Sequence, residues 1–289
     1  MKVVCAGEAM IEISIDAPGR QVGFAGDTFN TAVYMARALP PGSVDYATVV
    51  GEDALSDRML GFFEAQGVGT GRIWRHPERL PGIYSIAVDG NGERSFAYWR
   101  DHSAARMLFT DGFAALDGVD LFYFSGITLA ILPPLVRTAL IAHLAGFPGK
   151  VAFDSNYRPR LWPSPEIARD AMEMAWGVTD IALPSLDDEL VLFGDADADA
   201  VLARFRGYGL TQGALKRGAE GPLLLDPTAP AGRFPPAKKV VDTTAAGDSF
   251  NGGFLAALLN GASATAAAEQ AHALAAQVIG VPGAILPKS

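Results

Sequence analysis

The sequence predicts an α/β fold in which a mainly parallel sheet is covered by helices on both faces. Apolar runs of strand length alternate with helix-like segments, beginning with VVCAG (3–7) and DTFNTAVYMARAL (27–39). The second segment has apolar residues at helical spacing, and Asp27 or Thr28 can cap it. Further strand-like runs, separated mostly by helix-like segments such as 53–67, are YATVVG (46–51), LFYFSG (121–126), VAFD (151–154), DIALP (180–184), ALKRG (214–218) and PLLLD (222–226).

One segment departs from this alternation. IYSIAVDGNGERSFAYWR (83–100) contains two strand-like runs joined by DGNG. The Asp-Gly and Asn-Gly pairs supply the positive φ that a tight hairpin needs. The residues alone leave open whether this hairpin is a separate flap or an edge hairpin without a functional role.

Composition and charge exclude several classes of function. The 289 residues carry a net charge of −9 with no long basic run, which disfavours nucleic acid and anionic membranes as partners. The single cysteine, Cys5, cannot form an internal disulfide. No signal peptide and no apolar run of membrane-spanning length is visible, so we expect a soluble, cytoplasmic protein. The four histidines lack zinc-binding spacing, and no GxSxG motif indicates a serine hydrolase.

The stretch DTTAAGDSFNGG (242–253) is the strongest candidate for a functional site. The small residues Ala245, Ala246 and Gly247 precede a predicted helix, whose free N–H groups bind phosphate well. Asp248 would then lie beside that phosphate and could accept a proton from a substrate hydroxyl. The alternative is that Asp248 only caps the helix. A Walker P-loop and a Rossmann glycine pattern are both absent from the sequence.

Two motifs together resemble the signatures of the ribokinase (pfkB) family of sugar kinases. DTTAAGDSF is similar to the family's DTxGAGD pattern, and GFAGDTFNTAVYMAR (23–37) is similar to its first signature, which has paired glycines and an asparagine before a helix. The resemblance implies one ribokinase-like three-layer domain over 1–289, with a small β-sheet lid formed by about 12–24 and 83–100. The chain departs from the family at Ala25 and Ala245, where the pattern has glycine, and Ala245 would be strained if its φ is positive.

Further segments resemble family members that phosphorylate a keto-deoxy sugar acid: RLPGIYSI, GERSFAYWR, SGITLAIL, FDSNYRPRLW, LDDE and LKRGA. This resemblance implies that Asp248 deprotonates the terminal hydroxyl while the backbone N–H groups of Ala245, Ala246, Gly247 and Asp248 stabilise the phosphoryl group. It also implies ATP, Mg²⁺ and, as an option, a monovalent cation such as K⁺. A homodimer formed through the lid is a further expectation.

The substrate-binding residues follow from the same resemblance, supported by their chemistry. Tyr98 and Arg100 point to the same face if both lie in a strand, and Arg158 follows the strand VAFD; both arginines suit a carboxylate. Arg160 is interpreted as structural. Short polar groups at the first helix complete the set, which is Gly26, Asp27, Asn30, Tyr84, Tyr98, Arg100, Arg158 and Asp248.

The nucleotide side is predicted from two other segments. Lys216, Gly218 and Gly221 match the family's adenine-side hairpin, although Lys216 could also be merely solvated at a strand end. Ser185 and Asp188 take the place of the NxxE motif that organises magnesium, and Glu189 replaces Asp188 if the register slips. The predicted nucleotide contacts are Asn156, Arg158, Ser185, Lys216, Gly218, Gly221 and Gly247, with Asp188 for the metal.

Two rival functions remain open at this point. A kinase of a neutral sugar such as fructose or ribose would use the same Asp248, but it would not need Arg100. A sugar sensor without turnover would bind ligand but release no ADP, and the intact Asp248 argues against it.

Overall fold

The computed structural model of the protein describes residues 1–14, 22–88 and 94–288. Strands and helices alternate along much of these ranges, as the sequence predicts. The strands are β1 (Val3–Ala6), β2 (Met10–Ser14), β3 (Val22–Ala25), β4 (Val44–Gly51), β5 (Gly69–His76), β6 (Ile83–Val88), β7 (Arg94–Trp99), β8 (Leu121–Ser125), β9 (Lys150–Asp154), β10 (Ile181–Ala182), β11 (Ala214–Leu215) and β12 (Leu223–Leu224). The α-helices are α1 (Asp27–Ala38), α2 (Ala54–Ala65), α3 (Gly126–Ile131), α4 (Pro134–Leu144), α5 (Pro165–Trp176), α6 (Leu186–Phe193), α7 (Ala198–Gly207), α8 (Ala246–Leu259) and α9 (Ala264–Val278). Within the described ranges, however, β1 to β3 and β5 to β7 follow one another without an intervening α-helix.

The central sheet has six strands in the order β10-β9-β8-β1-β4-β5, and each neighbouring pair is parallel. Both of its faces are buried, because alternate residues of β1 enter different cores: Val4 and Ala6 pack with α4, α5 and α7, whereas Val3 and Cys5 pack with α1, α2, α8 and α9. The predicted α/β fold with a covered parallel sheet is confirmed.

A separate four-stranded sheet has the order β3-β2-β6-β7. Its strands fall within or next to the predicted segments 12–24 and 83–100, and β6 and β7 form the predicted antiparallel hairpin. The DGNG turn lies outside the described residues. That this small sheet acts as a lid, and that two copies of the chain dimerise through it, stay predictions.

Some details of the sequence interpretation are wrong. The runs at 180–184, 214–218 and 222–226 form strands of only two residues each. The sequence interpretation missed β5, which lies at the edge of the central sheet next to β4. Its sequence, GTGRIWRH, contains no apolar run, and Trp74 in it is exposed. None of the described helices combines the length and apolar character that a membrane span requires.

The caps of α1 and α2 differ in kind. Gly26 is the N-cap of α1 and offers no side chain, so neither Asp27 nor Thr28 caps this helix as predicted. Asp53 caps α2 through its carboxylate, which accepts the N–H groups of Leu55 and Ser56 at 2.9 and 3.1 Å. The carboxylate of Asp27 is therefore free for other contacts, described below.

Replacement of the α2 cap gives a stability prediction. Asp53→Ala should lower the free energy of unfolding by about 1 kcal/mol, because two N–H groups of the first turn lose their acceptor. Asp53→Asn keeps an acceptor oxygen and should change it little. Urea denaturation followed by circular dichroism measures both variants, and equal losses for the two would contradict the capping role.

Candidate active site

Two adjoining cavities lie beyond the carboxyl ends of the central strands. One, here called the apolar cavity, has a volume of about 470 Å³ and is lined mainly by apolar side chains of α8, α9 and the segment 216–240. The other, the polar cavity, has a volume of about 490 Å³ and is lined by five carboxylates and two cationic side chains. Residues common to both walls are Ser185, Asp187, Lys216, Thr243, Ala246 and Gly247. A ligand that occupies both cavities must therefore pass the first turn of α8.

The first turn of α8 can bind an anion through its backbone. Ala245 is the N-cap and Ala246 the first helical residue, but the N–H of Ala246 already donates to the carbonyl of Thr243 at 3.2 Å. Gly247 and Asp248 follow, and N–H groups at these positions have no acceptor within a helix. The positive end of the helix dipole adds to their effect. The N–H groups that this turn can offer to an anion are therefore those of Gly247 and Asp248 rather than that of Ala246.

Asp248 lines the polar cavity and is half-buried. One carboxylate oxygen accepts the side-chain N–H of Asn30 at 2.8 Å, and its backbone carbonyl accepts the hydroxyl of Thr31 at 3.1 Å. Burial and the nearby charges of Asp27 and Asp154 raise the pKa of Asp248 to about 7, against the opposing effects of Asn30 and Lys216. A carboxylate with such a pKa is a competent general base near neutral pH.

Asp27 is held by donors from two other elements. Its Oδ2 accepts the hydroxyl of Ser125 at 2.5 Å and the side-chain N–H of Asn156 at 2.8 Å. Asn30, one turn further along α1, donates to Asp248 as described above. The short polar residues at the start of α1 therefore line the polar cavity in fixed orientations.

Asp154, at the end of β9, connects several parts of the site. Its Oδ1 accepts the backbone N–H of Asn156 at 3.1 Å. Its Oδ2 accepts the ammonium of Lys216 and the side-chain N–H of Asn251, each at 2.6 Å. Asn251 also accepts from Lys216 at 3.1 Å and donates to the hydroxyl of Tyr123 at 3.0 Å. Lys216 is thus buried and fixed, so the interpretation of a merely solvated lysine is wrong.

The small sheet contributes aromatic side chains to the polar cavity. Tyr84 and Tyr98 stack with ring centroids 5.9 Å apart and both line it, and the Tyr84 hydroxyl donates to the carboxylate of Glu12. Arg100 lies just past the end of β7, is buried, and pairs with Glu8. Among the described residues, Arg100 is therefore not part of the cavity lining, and its contact with substrate stays a prediction.

Arg158 and Asp188 face each other at the edge of the polar cavity. Their closest atoms are 3.5 Å apart, and the side chain of Arg158 is 52% exposed. Burial raises the pKa of Asp188 to about 6, against the effect of Arg158. Glu189 is completely buried and pairs with Arg204, so the alternative register for a metal ligand is wrong.

No group of three or more acidic, histidine or cysteine side chains in the described part of the chain could hold a metal ion by itself. Asp188 has the chemistry of a magnesium ligand, since it is a partly shielded carboxylate on a cavity wall. The residues present thus fit a cation that takes one protein ligand and completes its shell from phosphate and water.

The predicted glycines have different environments. A Cβ on Gly26 would lie 2.2 Å from the carbonyl oxygen of Glu8, so only glycine allows this close approach beside the polar cavity. Gly218 has φ of +55° and lines the apolar cavity. Gly221 has φ of +78° and abuts Phe234, but it is not among the residues that line the cavity. Arg160 is exposed and is likewise outside the lining.

The sequence of this chain matches a known protein family over its whole length. The family described as pfkB family carbohydrate kinase matches residues 1–289. The chain belongs to this family. Membership confirms the resemblance found in the sequence motifs, and it implies ATP and a divalent cation as the family's requirements.

Individual relatives of this pfkB protein share its sequence or its fold over almost the whole chain. A 2-dehydro-3-deoxygluconokinase of Dickeya dadantii is 43% identical over 302 residues, which cover 99% of this chain and 96% of that protein. The protein of the same name from Escherichia coli K12 is 42% identical over 304 residues, covering 99% and 97%. The crystal structure of a Thermotoga maritima 2-dehydro-3-deoxygluconokinase has a TM-score of 0.86 at 24% identity, over 99% of this chain and 94% of that one, and so shares the fold.

The departure of this pfkB chain from the family pattern at Ala245 has a structural consequence. Ala245 has φ of 60° and ψ of 18°, in the left-handed region where the pattern's glycine would be unstrained. Its methyl group packs against an apolar cluster of Met10, Ala25, Tyr84, Ile86 and Ala284. Because φ is positive at Ala245, the backbone strain that the sequence predicted is present. Packing of the methyl group offsets part of the free-energy cost of this strain.

Sequence reasoning assigned no role to four residues that hold the predicted ones in place. Asp154, Asn251 and Ser125 lie within the motif segments FDSNYRPRLW, DTTAAGDSFNGG and SGITLAIL, and Tyr123 lies in the strand-like run LFYFSG, but these segments do not indicate what the four side chains contact. Asp154 ends the predicted strand VAFD at the carboxyl edge of the sheet, where ligands gather, and this position was the available clue.

Ala245 gives a prediction for this pfkB protein. Ala245→Gly should change the melting temperature little, because relief of left-handed strain is balanced by a more flexible unfolded chain and a lost methyl contact. Ala245→Val should lower it clearly, since a β-branched residue is strongly disfavoured at positive φ. Calorimetry of both variants tests this, and a valine variant as stable as the glycine variant would contradict the backbone assignment.

Asp248 gives a prediction about stability and pH. Its pKa is raised in the folded state, so between about pH 4 and pH 7 the native state binds more protons than the unfolded state, and Asp248 destabilises the fold progressively as pH rises. Asp248→Asn removes this effect. The variant should therefore melt several degrees above the unmodified protein at pH 8 and close to it at pH 4. An equal difference at both pH values would contradict the raised pKa.

Proposed function

We propose that this protein transfers the γ-phosphoryl group of ATP to the 6-hydroxyl of 2-dehydro-3-deoxygluconate, also called 2-keto-3-deoxygluconate. The observation that carries the proposal is the meeting of an apolar and a polar cavity at the first turn of α8, beside Asp248. The names of the relatives that are 42–43% identical supply the substrate.

The apolar cavity suits the nucleotide base. Its walls of Val240, Phe250, Ala276 and Ile279 can cover an aromatic ring, and its volume of about 470 Å³ is in the range of small-molecule sites. The phosphates of a nucleotide in this position would extend towards Gly247, where the two cavities share a wall. The γ-phosphoryl group would then lie at the entrance of the polar cavity.

The polar cavity suits a hydroxylated acid. Asp27 and Asn30 can bond to hydroxyl groups, and Tyr84 and Tyr98 can cover the carbon chain of the substrate. Arg158 is the more exposed of the two cationic side chains of this cavity. Its guanidinium suits the substrate carboxylate, to which it can donate paired hydrogen bonds. A contribution from Arg100 requires that it leave Glu8.

The reaction requires a base, an anion site and charge balance. Asp248 accepts the proton of the 6-hydroxyl as that oxygen attacks the γ-phosphorus atom. The bond from γ-phosphorus to the bridging oxygen breaks, and ADP leaves with the electron pair. The N–H groups of Gly247 and Asp248 stabilise the charge on the phosphoryl oxygens. Asp188 would hold the magnesium ion, which would neutralise part of the charge of the phosphates when bound.

The proposed activity is tested by magnesium-dependent ADP release from ATP with a panel of acceptors. We expect strong preference for 2-dehydro-3-deoxygluconate over gluconate, fructose and ribose, and loss of at least about a hundredfold in kcat for Asp248→Asn, because general-base catalysis typically contributes that much. The galactonate epimer is included, since it differs only in one hydroxyl orientation.

Each other outcome contradicts a defined part of the proposal. Preference for fructose or ribose would keep Asp248 as the base but overturn the sugar-acid assignment. Ligand-dependent melting without ADP release on any acceptor would favour the sensor. Normal turnover of a folded Asp248→Asn variant would overturn the mechanism.

A further inference from the structure

The polar cavity has an unusual balance of charge for a site that accepts phosphate. Its lining contains the carboxylates of Asp27, Asp154, Asp187, Asp188 and Asp248. The cationic side chains in this lining are Arg158 and Lys216. Arg158 is half-exposed and lies 3.5 Å from Asp188, whereas the side chain of Lys216 is only 9% exposed and lies 2.6 Å from Asp154. Lys216 is therefore the cation with a fixed position.

Lys216 stands where the two cavities meet. It lines both of them, and its Nζ lies 3.6 Å from the point that a Cβ on Gly247 would occupy. An ammonium group has three N–H donors. Two of them are accounted for by Asp154 at 2.6 Å and Asn251 at 3.1 Å. No described residue accepts the third, which is therefore available to a ligand at the first turn of α8.

Asp154 determines the position of that ammonium. With Oδ2 it holds Lys216 and Asn251, and with Oδ1 it holds the backbone of Asn156, whose φ is +31°. Asn156 in turn binds Asp27 at 2.8 Å. One buried carboxylate therefore connects β9, α8 and the start of α1 through the floor of the polar cavity.

We infer that Asp154 is a positioning residue that presents Lys216 to the γ-phosphoryl group of ATP, and that Lys216 contacts this group during transfer. The inference rests on the proposed function and deepens it. Because Lys216 stands at the junction, it contacts the phosphate that ATP has and ADP lacks. Asp154, which also lines the polar cavity, acts through Lys216.

The test measures nucleotide binding in the absence of sugar, by calorimetry with magnesium, using ADP and the β,γ-imido analogue of ATP. Lys216→Gln should weaken the analogue about tenfold or more, the usual effect of losing a hydrogen bond to a charged group, and should change ADP binding by less than about threefold. Asp154→Asn should act in the same direction. The double variant should lose little more than Lys216→Gln, because the two residues act as a unit.

Asp180→Asn is the matched control. Lys150 and Val151 lie at the opposite end of β9 from Asp154. Asp180 accepts the ammonium of Lys150 at 2.7 Å and the backbone N–H of Val151 at 2.9 Å. Asp180 is not among the residues that line either cavity in the described part of the chain. This variant should bind both nucleotides normally.

Several outcomes separate this inference from the proposed function. If the unmodified protein binds neither nucleotide, the proposed function fails. If the unmodified protein binds both nucleotides, the inference fails when Lys216→Gln weakens the binding of ADP as much as that of the analogue. It also fails when the variant weakens the binding of neither. In both cases the proposed function stands. Multiplicative losses in the double variant would show that Asp154 acts independently of Lys216. Should Asp154→Asn not fold by circular dichroism, Lys216→Gln and Lys216→Arg still decide, since only arginine can retain the contact with the analogue.

Discussion

The dominant constraint on this site is the concentration of negative charge in a cavity proposed to receive an anionic nucleotide and a carboxylate substrate. Five carboxylates line it, and only two side chains oppose them in the described lining. The positive groups that oppose these carboxylates are the buried Lys216, the half-exposed guanidinium of Arg158 and the N-terminal turn of α8. The same crowding and burial raise the pKa of Asp248 to about 7, so the repulsion that destabilises the fold also gives Asp248 the pKa that the proposed general base needs near neutral pH.

The backbone is strained at the point where this charge is balanced. Ala245 adopts left-handed geometry directly before α8, and its methyl group lies against the small sheet and the C-terminal segment. The turn proposed to bind phosphate is thus connected by packing to β2, β3 and β6, the last of which bears Tyr84. A movement of the small sheet would therefore change the packing of Ala245 at this turn, as the proposed lid requires.

Sequence reasoning succeeded where a local pattern carries the information. Alternating apolar runs predicted the parallel sheet, and two signatures predicted the family and the meeting of Asp248, Asn30 and Asp27 in one site. It failed where an interaction joins distant segments. Asp154 lies 62 residues from Lys216 and 97 from Asn251, and no motif spacing predicts such a contact. The burial of Arg100 against Glu8 likewise depends on how the small sheet joins the central one, which residue alternation in a strand cannot predict.

The pH dependence of kcat/KM for the sugar acid tests the central claim, that Asp248 is the base and that its surroundings raise its pKa. Measured at saturating magnesium and ATP from pH 5 to pH 9, this parameter reports the groups of the enzyme before the sugar binds. The account predicts that it falls below an apparent pKa near 7, because protonated Asp248 cannot accept the hydroxyl proton. A parameter that stays constant down to pH 5 would contradict it.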